Sequence, residues 1–149
     1  MKVTNVTVSV KAVEGNIVKG YASILFDNCF AVKNIRIVKR DKGYLIAMPS
    51  RKIGEQFDDI AFPINKETRK MIEDKVMHKF YEEVTSILGN LKITEGYDLK
   101  YNVDNIHDIA LVKLSTNKII DTYDLEDYTT ESLEELEKEV NEKIEGLHE

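Results

Sequence analysis

Near the start of the chain Val6, Val8 and Val10 alternate with Thr7 and Ser9, the period-two pattern of a half-buried strand. Val3 falls on the other parity, which asks for a bulge or bend near Thr4-Asn5. Glu14-Gly15-Asn16 is turn chemistry. A second strand follows, with Ala22, Ile24 and Phe26 on one side and Tyr21, Ser23 and Leu25 on the other. Asp27-Asn28 suits a tight hairpin, because both residues tolerate positive φ better than most. The third strand spans about residues 29 to 39, "RDKG" turns the chain, and "YLIAM" is a fourth strand ended by Pro49, which lacks a backbone N–H. A loop containing Gly54 then leads to "DIAFPIN".

The period changes after Asn65, a good helix N-cap. From about residue 66 to 88, Ile72, Val76, Phe80, Val84 and Ile87 recur at helical spacing. Met71, Tyr81 and Leu88 widen the stripe, and Gly89-Asn90 is a reasonable stop. Beyond it, Leu99, Tyr101 and Val103 alternate, and "DIALVKL" and "KIIDTY" flank the turn-like Ser115-Thr116-Asn117, giving one short strand and a hairpin. Thr130 is placed to cap a last helix with Leu133, Leu136, Val140, Ile144 and Leu147 on one narrow, heptad-like face and Glu crowding the others. That stripe suits docking on a partner or on the first half. The expected fold is α+β: an antiparallel β-meander packed with one α-helix, followed by a β-hairpin and an acidic helix. The expected division is a module over residues 1–88 and an extension over 89–149.

Charge sharpens that division. The 149 residues carry 21 Lys/Arg and 27 Asp/Glu, a net −6 that argues against a nucleic-acid partner. Residues 1–88 hold 15 Lys/Arg against 11 Asp/Glu, a balance of +4, whereas residues 89–149 hold 6 against 16, a balance of −10. Such asymmetry points to a nucleic-acid surface beside an acidic element. No run approaches the roughly 20 apolar residues of a membrane helix, and "MKVTNVTVSV" lacks a signal peptide's apolar core. With Cys29 the single cysteine, no intrachain disulfide forms and the cytoplasm is the expected compartment.

Catalytic chemistry is hard to assemble. His78, His107 and His148 are scattered and no Cys/His spacing resembles a zinc site. Cys29, before Phe30 in a strand, reads as a small buried hydrophobe. The Asp58-Asp59 pair more simply orients the loop before the helix than holds a metal. No glycine-rich phosphate loop occurs. The expectation is a non-enzyme without catalytic residues, metal or cofactor.

The ordered series "MKVTNVTVSV", "GYASILFDNCFAVKNIRIV", "GYLIAMPSRK", "FDDIAFPIN" and "TRKMIEDKV" resembles the SpoVG family, the stage V sporulation or septation protein G group of bacteria. The resemblance covers about residues 1–85 and leaves the acidic half unassigned. It implies a small cytoplasmic protein with an antiparallel sheet and a helix, homodimeric through the sheet region. It also implies binding to DNA, and to RNA in several members, in gene regulation tied to septation or sporulation. Cations at the start of the helix are the implied contacts, here Arg69 and Lys70, with Lys66 beside them. Arg51 and Lys52 match the basic pair after the family's Met-Pro-Ser. The family often carries His before the proline of its "DIAHP" segment, where Phe62 stands here.

The residues support this unevenly. Arg69 and Lys70 oppose the helix macrodipole, so an anionic partner explains them better than helix stability does. Glu67 and solvation supply the plainer account. Arg51 and Lys52 are equally a solvated loop. Lys33, Arg36, Lys39, Arg40 and Lys42 divide between two faces unless the third strand is bulged. Tyr21, Phe30 and Tyr44 offer rings to bases, but packing in the core is the expectation for them. The acidic half reads as a stabilising addition, as a recruiting surface for a protein partner, or as an autoinhibitor lying against the basic module. The rival to nucleic-acid binding is a protein–protein adaptor on the same fold.

Overall fold

In the computed structural model, which describes residues 1–11, 17–102, 107–128 and 133–148, strands β1 (Val3–Val10), β2 (Val18–Phe26), β3 (Phe30–Arg40) and β4 (Gly43–Ala47) form an antiparallel meander in chain order. The expected turn at 14–16, the strand position Val103 and the Thr130 cap lie outside the described residues. Val6 and Val8 face Ile24 and Ala22 across β1 and β2, and the register slips between Val3 and Asn5, where parity asked for a bulge. Asp27 and Asn28 adopt φ of 50° and 56°, so the β2–β3 turn is left-handed. The Asp27 carboxylate accepts the Lys2 N–H at 2.9 Å and ties the start of β1 to that turn. In β3, Lys33 and Asn34 together oppose only Ser23, and Asn34 takes φ 62°. The bulge resets the parity of the strand.

Two expectations fail between residues 29 and 60. Cys29 is exposed, because it completes the β2–β3 turn instead of entering the sheet. The stretch after Pro49 is not a loop. It is a hairpin of β5 (Ser50–Ile53) and β6 (Gln56–Asp59), closed by Gly54 at φ 63° and Glu55. Every residue from Arg51 to Ile60 is exposed. A hairpin with no buried face has no reason to alternate in hydrophobicity, so period-two pattern cannot reveal it.

Helix α1 (Lys66–Gly89) begins as expected: Asn65 is extended and its side chain accepts the Thr68 N–H at 2.8 Å. Ile72, Val76, Phe80, Val84 and Leu88 are buried against the face of the sheet carrying Val8, Ala22, Ile24, Ile35, Ile37 and Ile46. Gly20 lets the layers close. A Cβ there would stand 2.9 Å from the Ser9 carbonyl oxygen and 3.3 Å from the Phe80 ring.

The acidic half repeats the plan in small. Strands β7 (Tyr97–Tyr101), β8 (Ile109–Lys113) and β9 (Lys118–Tyr123) form a second antiparallel meander, and a 3-10 turn at Leu125–Asp127 precedes helix α2 (Leu133–Leu147). Leu133, Leu136, Val140 and Ile144 are buried, while Leu147 is exposed at the last turn. Polar side chains of α2 grip the segment after α1. Glu137 accepts the Lys92 N–H, and Asn141 donates to the Lys92 carbonyl and accepts from the Thr94 N–H and hydroxyl. One cluster of buried apolar side chains runs through both halves, and the fold is α+β.

The joint between the halves is polar. Phe80 of α1 holds ring contacts at 5.4 Å to Tyr44 and 6.2 Å to Tyr101. The Tyr44 hydroxyl donates to Asp108 at 2.9 Å and lies 2.5 Å from the Tyr101 hydroxyl. The other Asp108 oxygen accepts the Leu125 N–H. Burial pushes both tyrosine hydroxyls far up. It raises the carboxyl of Asp108 too, against the pull of the Leu125 N–H, the Tyr44 hydroxyl and the nearby Lys39 ammonium.

Candidate nucleic-acid interface

Lys66, Arg69 and Lys70 occupy the first turns of α1 and all are exposed. At 3.6 residues per turn they emerge within an arc of about 100° and a length of about 6 Å, which makes them one cationic patch. Their carboxylate partners come from α1 itself. Lys70 Nζ lies 2.8 Å from Asp74, and Arg69 is 3.9 Å from Glu73. The Asp74 hydrogen bond and charge raise Lys70 from its ordinary value, so it stays cationic. Exposed i,i+4 pairs of this kind are weak and exchange readily for other anions. A phosphate arriving here meets three cations, and the partners of Arg69 and Lys70 are easily displaced.

The acidic extension meets α1 elsewhere, through Tyr101 against Phe80 and Tyr81. Those contacts lie about 16–18 Å along the helix from Arg69.

Arg51 and Lys52 sit on β5, not in a loop, and therefore point to opposite faces of the hairpin. Arg51 stands opposite Asp58, and Lys52 opposite Phe57. Neither enters an ion pair among the described residues. Asp58 and Asp59, adjacent on β6, likewise diverge, and no metal-binding group of side chains occurs among the described residues. Phe62 links the two cationic regions. It lines a surface hollow with Arg51, Phe57 and Asp58, and an apolar cavity of about 170 Å³ with Phe30, Pro63 and Thr68 at the start of α1.

The three rings considered for base stacking separate. Tyr44 is in the polar joint, as a core residue should be. Tyr21 is 40% exposed and Phe30 63%, so neither is a core residue. Tyr21 points away from α1, on the face it shares with its strand partners Ser9 and Arg36. Phe30 opens β3 at the rim of the apolar cavity it shares with Thr68 of α1. Sequence reasoning also overlooked Phe57, exposed on the unsuspected hairpin.

His78 pairs with Glu82 at 2.9 Å on the open side of α1. No helix among the described residues is long and apolar enough to cross a membrane.

Comparison with known proteins places the sheet, hairpin and helix start together. The SpoVG family model matches residues 1–82. A septation protein SpoVG of Caldicellulosiruptor bescii is 48% identical over 87 residues, 58% of this chain and 97% of the relative. Those of Clostridioides difficile strain 630 and Phytoplasma australiense are 47% identical over 83 residues and 46% over 84, covering 55% of this chain in each case and 89% and 85% of the relatives. The match spans β1 to β6 and most of α1, stops before the second sheet begins, and takes in more than half of the residues: the chain belongs to the SpoVG family and carries a sheet-and-helix layer beyond the part the family model reaches.

Proposed function

We propose that this protein is a nucleic-acid-binding regulator that works as a homodimer in processes tied to septation or sporulation. The relatives carry septation in their names. The observation that carries the binding reading is the patch of Lys66, Arg69 and Lys70, exposed at a capped helix start within the family-matched region. Arg51 and Lys52 add charge from the hairpin. The reading is one of binding rather than catalysis, and of a cytoplasmic protein.

A surface for the second copy is offered by Phe30, Ile60, Phe62 and Ile64, all exposed, Ile64 at 89%. Side chains of that size clustered at one end of a domain favour association. Two copies double a weak cationic patch into one useful site.

The same apolar end favours the second reading, a protein–protein adaptor that keeps the fold without the polyanion. The acidic extension is its natural recruiting surface. A salt series on DNA and RNA separates the two. Binding is expected to weaken linearly in log–log form as salt rises. Arg69→Ala/Lys70→Ala is expected to reduce the salt slope by about two. Absence of binding to either polymer at low salt would leave the adaptor.

A further inference from the structure

The four strands of the first sheet contain no Asp or Glu, and they carry five Lys or Arg. Helix α1 covers one face. The other holds Tyr21, whose strand neighbour Arg36 is directly opposite. Directly opposed side chains stand about 5 Å apart at Cβ. Lys11 reaches over the Tyr21 ring from the other side, 5.6 Å from its centroid. The Arg36 guanidinium donates to the Ser50 hydroxyl at 3.3 Å, which brings the face to the root of the β5–β6 hairpin. On that hairpin Ser50 and Asp59, opposed across the strands, share a face with Lys52 and Phe57, because residues two apart point the same way and Lys52 and Phe57 are also opposed. Phe57 is 67% exposed. The result is one continuous stripe across the sheet and onto the arm: Lys11, Tyr21, Arg36, Ser50, Lys52, Phe57.

Each ring has a cation beside it: Lys11 and Arg36 flank Tyr21, and Lys52 is opposed to Phe57. A duplex cannot use the rings, because its bases are stacked on each other and closed to a protein face. A single strand can, since its phosphates take the cations while unstacked bases lie on the aromatic faces. From the stripe we infer that the sheet face turned away from α1 and the hairpin arm bind single-stranded nucleic acid, separately from the cations at the start of α1. This rests on the nucleic-acid reading above and specifies the form of polymer it takes. The strand lies across β1, β2 and β3 and continues along the arm, with stacking at Tyr21 and Phe57 and phosphate contacts at Lys11, Arg36 and Lys52.

The test uses the full chain with 20-nucleotide oligo(U), oligo(dT) and a duplex of equal length. Tyr21→Ala and Phe57→Ala are each expected to weaken single-strand affinity about 5- to 100-fold and to leave the duplex within about twofold. Tyr21→Phe keeps the ring and is expected to bind as wild type. Equal loss with oligo(U) and oligo(dT) marks stacking indifferent to the sugar, and loss with one alone assigns the stripe to that polymer. Ultraviolet cross-linking of wild type to the better oligonucleotide is expected to label peptides containing Tyr21 or Phe57. If single-strand affinity falls only with Arg69→Ala/Lys70→Ala, nucleic-acid binding stands and the stripe is overturned. If Tyr21→Ala instead halves the mass measured by light scattering, the face is a contact between copies and the inference falls. If wild type binds none of the three polymers, both readings fall together.

Discussion

The two halves are built alike and charged oppositely. Each is an antiparallel meander with a helix, yet the first carries +4 and the second −10. They differ more deeply in what the helix does. Helix α1 is buried along Ile72, Val76, Phe80, Val84 and Leu88, and it touches both sheets. Helix α2 buries a shorter stripe and holds its own half with side chains such as Glu137 and Asn141. Similar architecture therefore conceals unequal responsibility: α1 organises the whole molecule and α2 closes one end of it.

The sharpest way to break that asymmetry is Phe80→Ala. Phe80 is fully buried and packs on Tyr44, Tyr101 and the gap at Gly20. A loss of about 3–5 kcal/mol is expected, with both halves unfolding in one transition by circular dichroism and by hydrogen exchange. If the second sheet keeps its protection while the first loses it, α1 does not organise both. Leu136→Ala, buried in α2, is expected to cost about 2–4 kcal/mol, with protection lost in α2 and β7–β9 before β1–β3. Uniform loss across the molecule would erase the difference between the helices.

The smallest effect should come from Asp108→Asn at the joint. Asp108 is 5% exposed and accepts from Tyr44 and from the Leu125 N–H, so the change is expected to cost about 1 kcal/mol near neutral pH. Its pH signature is more telling. Burial raises the carboxyl above the ordinary aspartate value of 3.8 in the folded state. The folded protein thus holds this proton more firmly than the unfolded chain. The stability it contributes is full below the ordinary aspartate range and is lost as pH rises through the raised value. Urea midpoints of wild type and variant are expected to differ most in acid and to converge as pH rises through that window. A gap that does not change with pH would show that Asp108 is not perturbed by its burial.

Much of this fold is legible in the chain because burial writes itself as periodicity. The Val6–Val8 alternation, the four-residue spacing from Ile72, the Asn65 cap and the Asp27-Asn28 turn all follow from one side facing a core. The β5–β6 hairpin does not, since neither of its faces is buried and its sequence answers to no period. Tyr21 is a subtler case. Its parity opposite Ala22 was readable, but parity does not say which face the helix covers, and an aromatic residue in a strand is more often packed than open. The candidate cations of α1 were visible as charges against a macrodipole. The grouping of Lys11, Tyr21 and Arg36 was not, because strand pairing brings together the residue just past β1, one from β2 and one from β3. The polar joint was equally hidden: Tyr44 and Asp108 lie 64 positions apart, and only the folded chain puts a hydroxyl on that carboxylate.

The joint also bears on portability. A tag can be moved to any carrier because its attachment makes no demand on the surface beneath. Here the attachment is written on both sides of the seam, in Phe80 and Tyr44 of the family-matched region and in Tyr101 and Asp108 of the added layer. Grafting residues 89–149 onto a shorter relative would transplant half of a lock. Without a phenol at the place of Tyr44, the buried carboxylate would arrive with one of its donors missing. The added layer is in this sense an organ of its host, matched to it by tissue type.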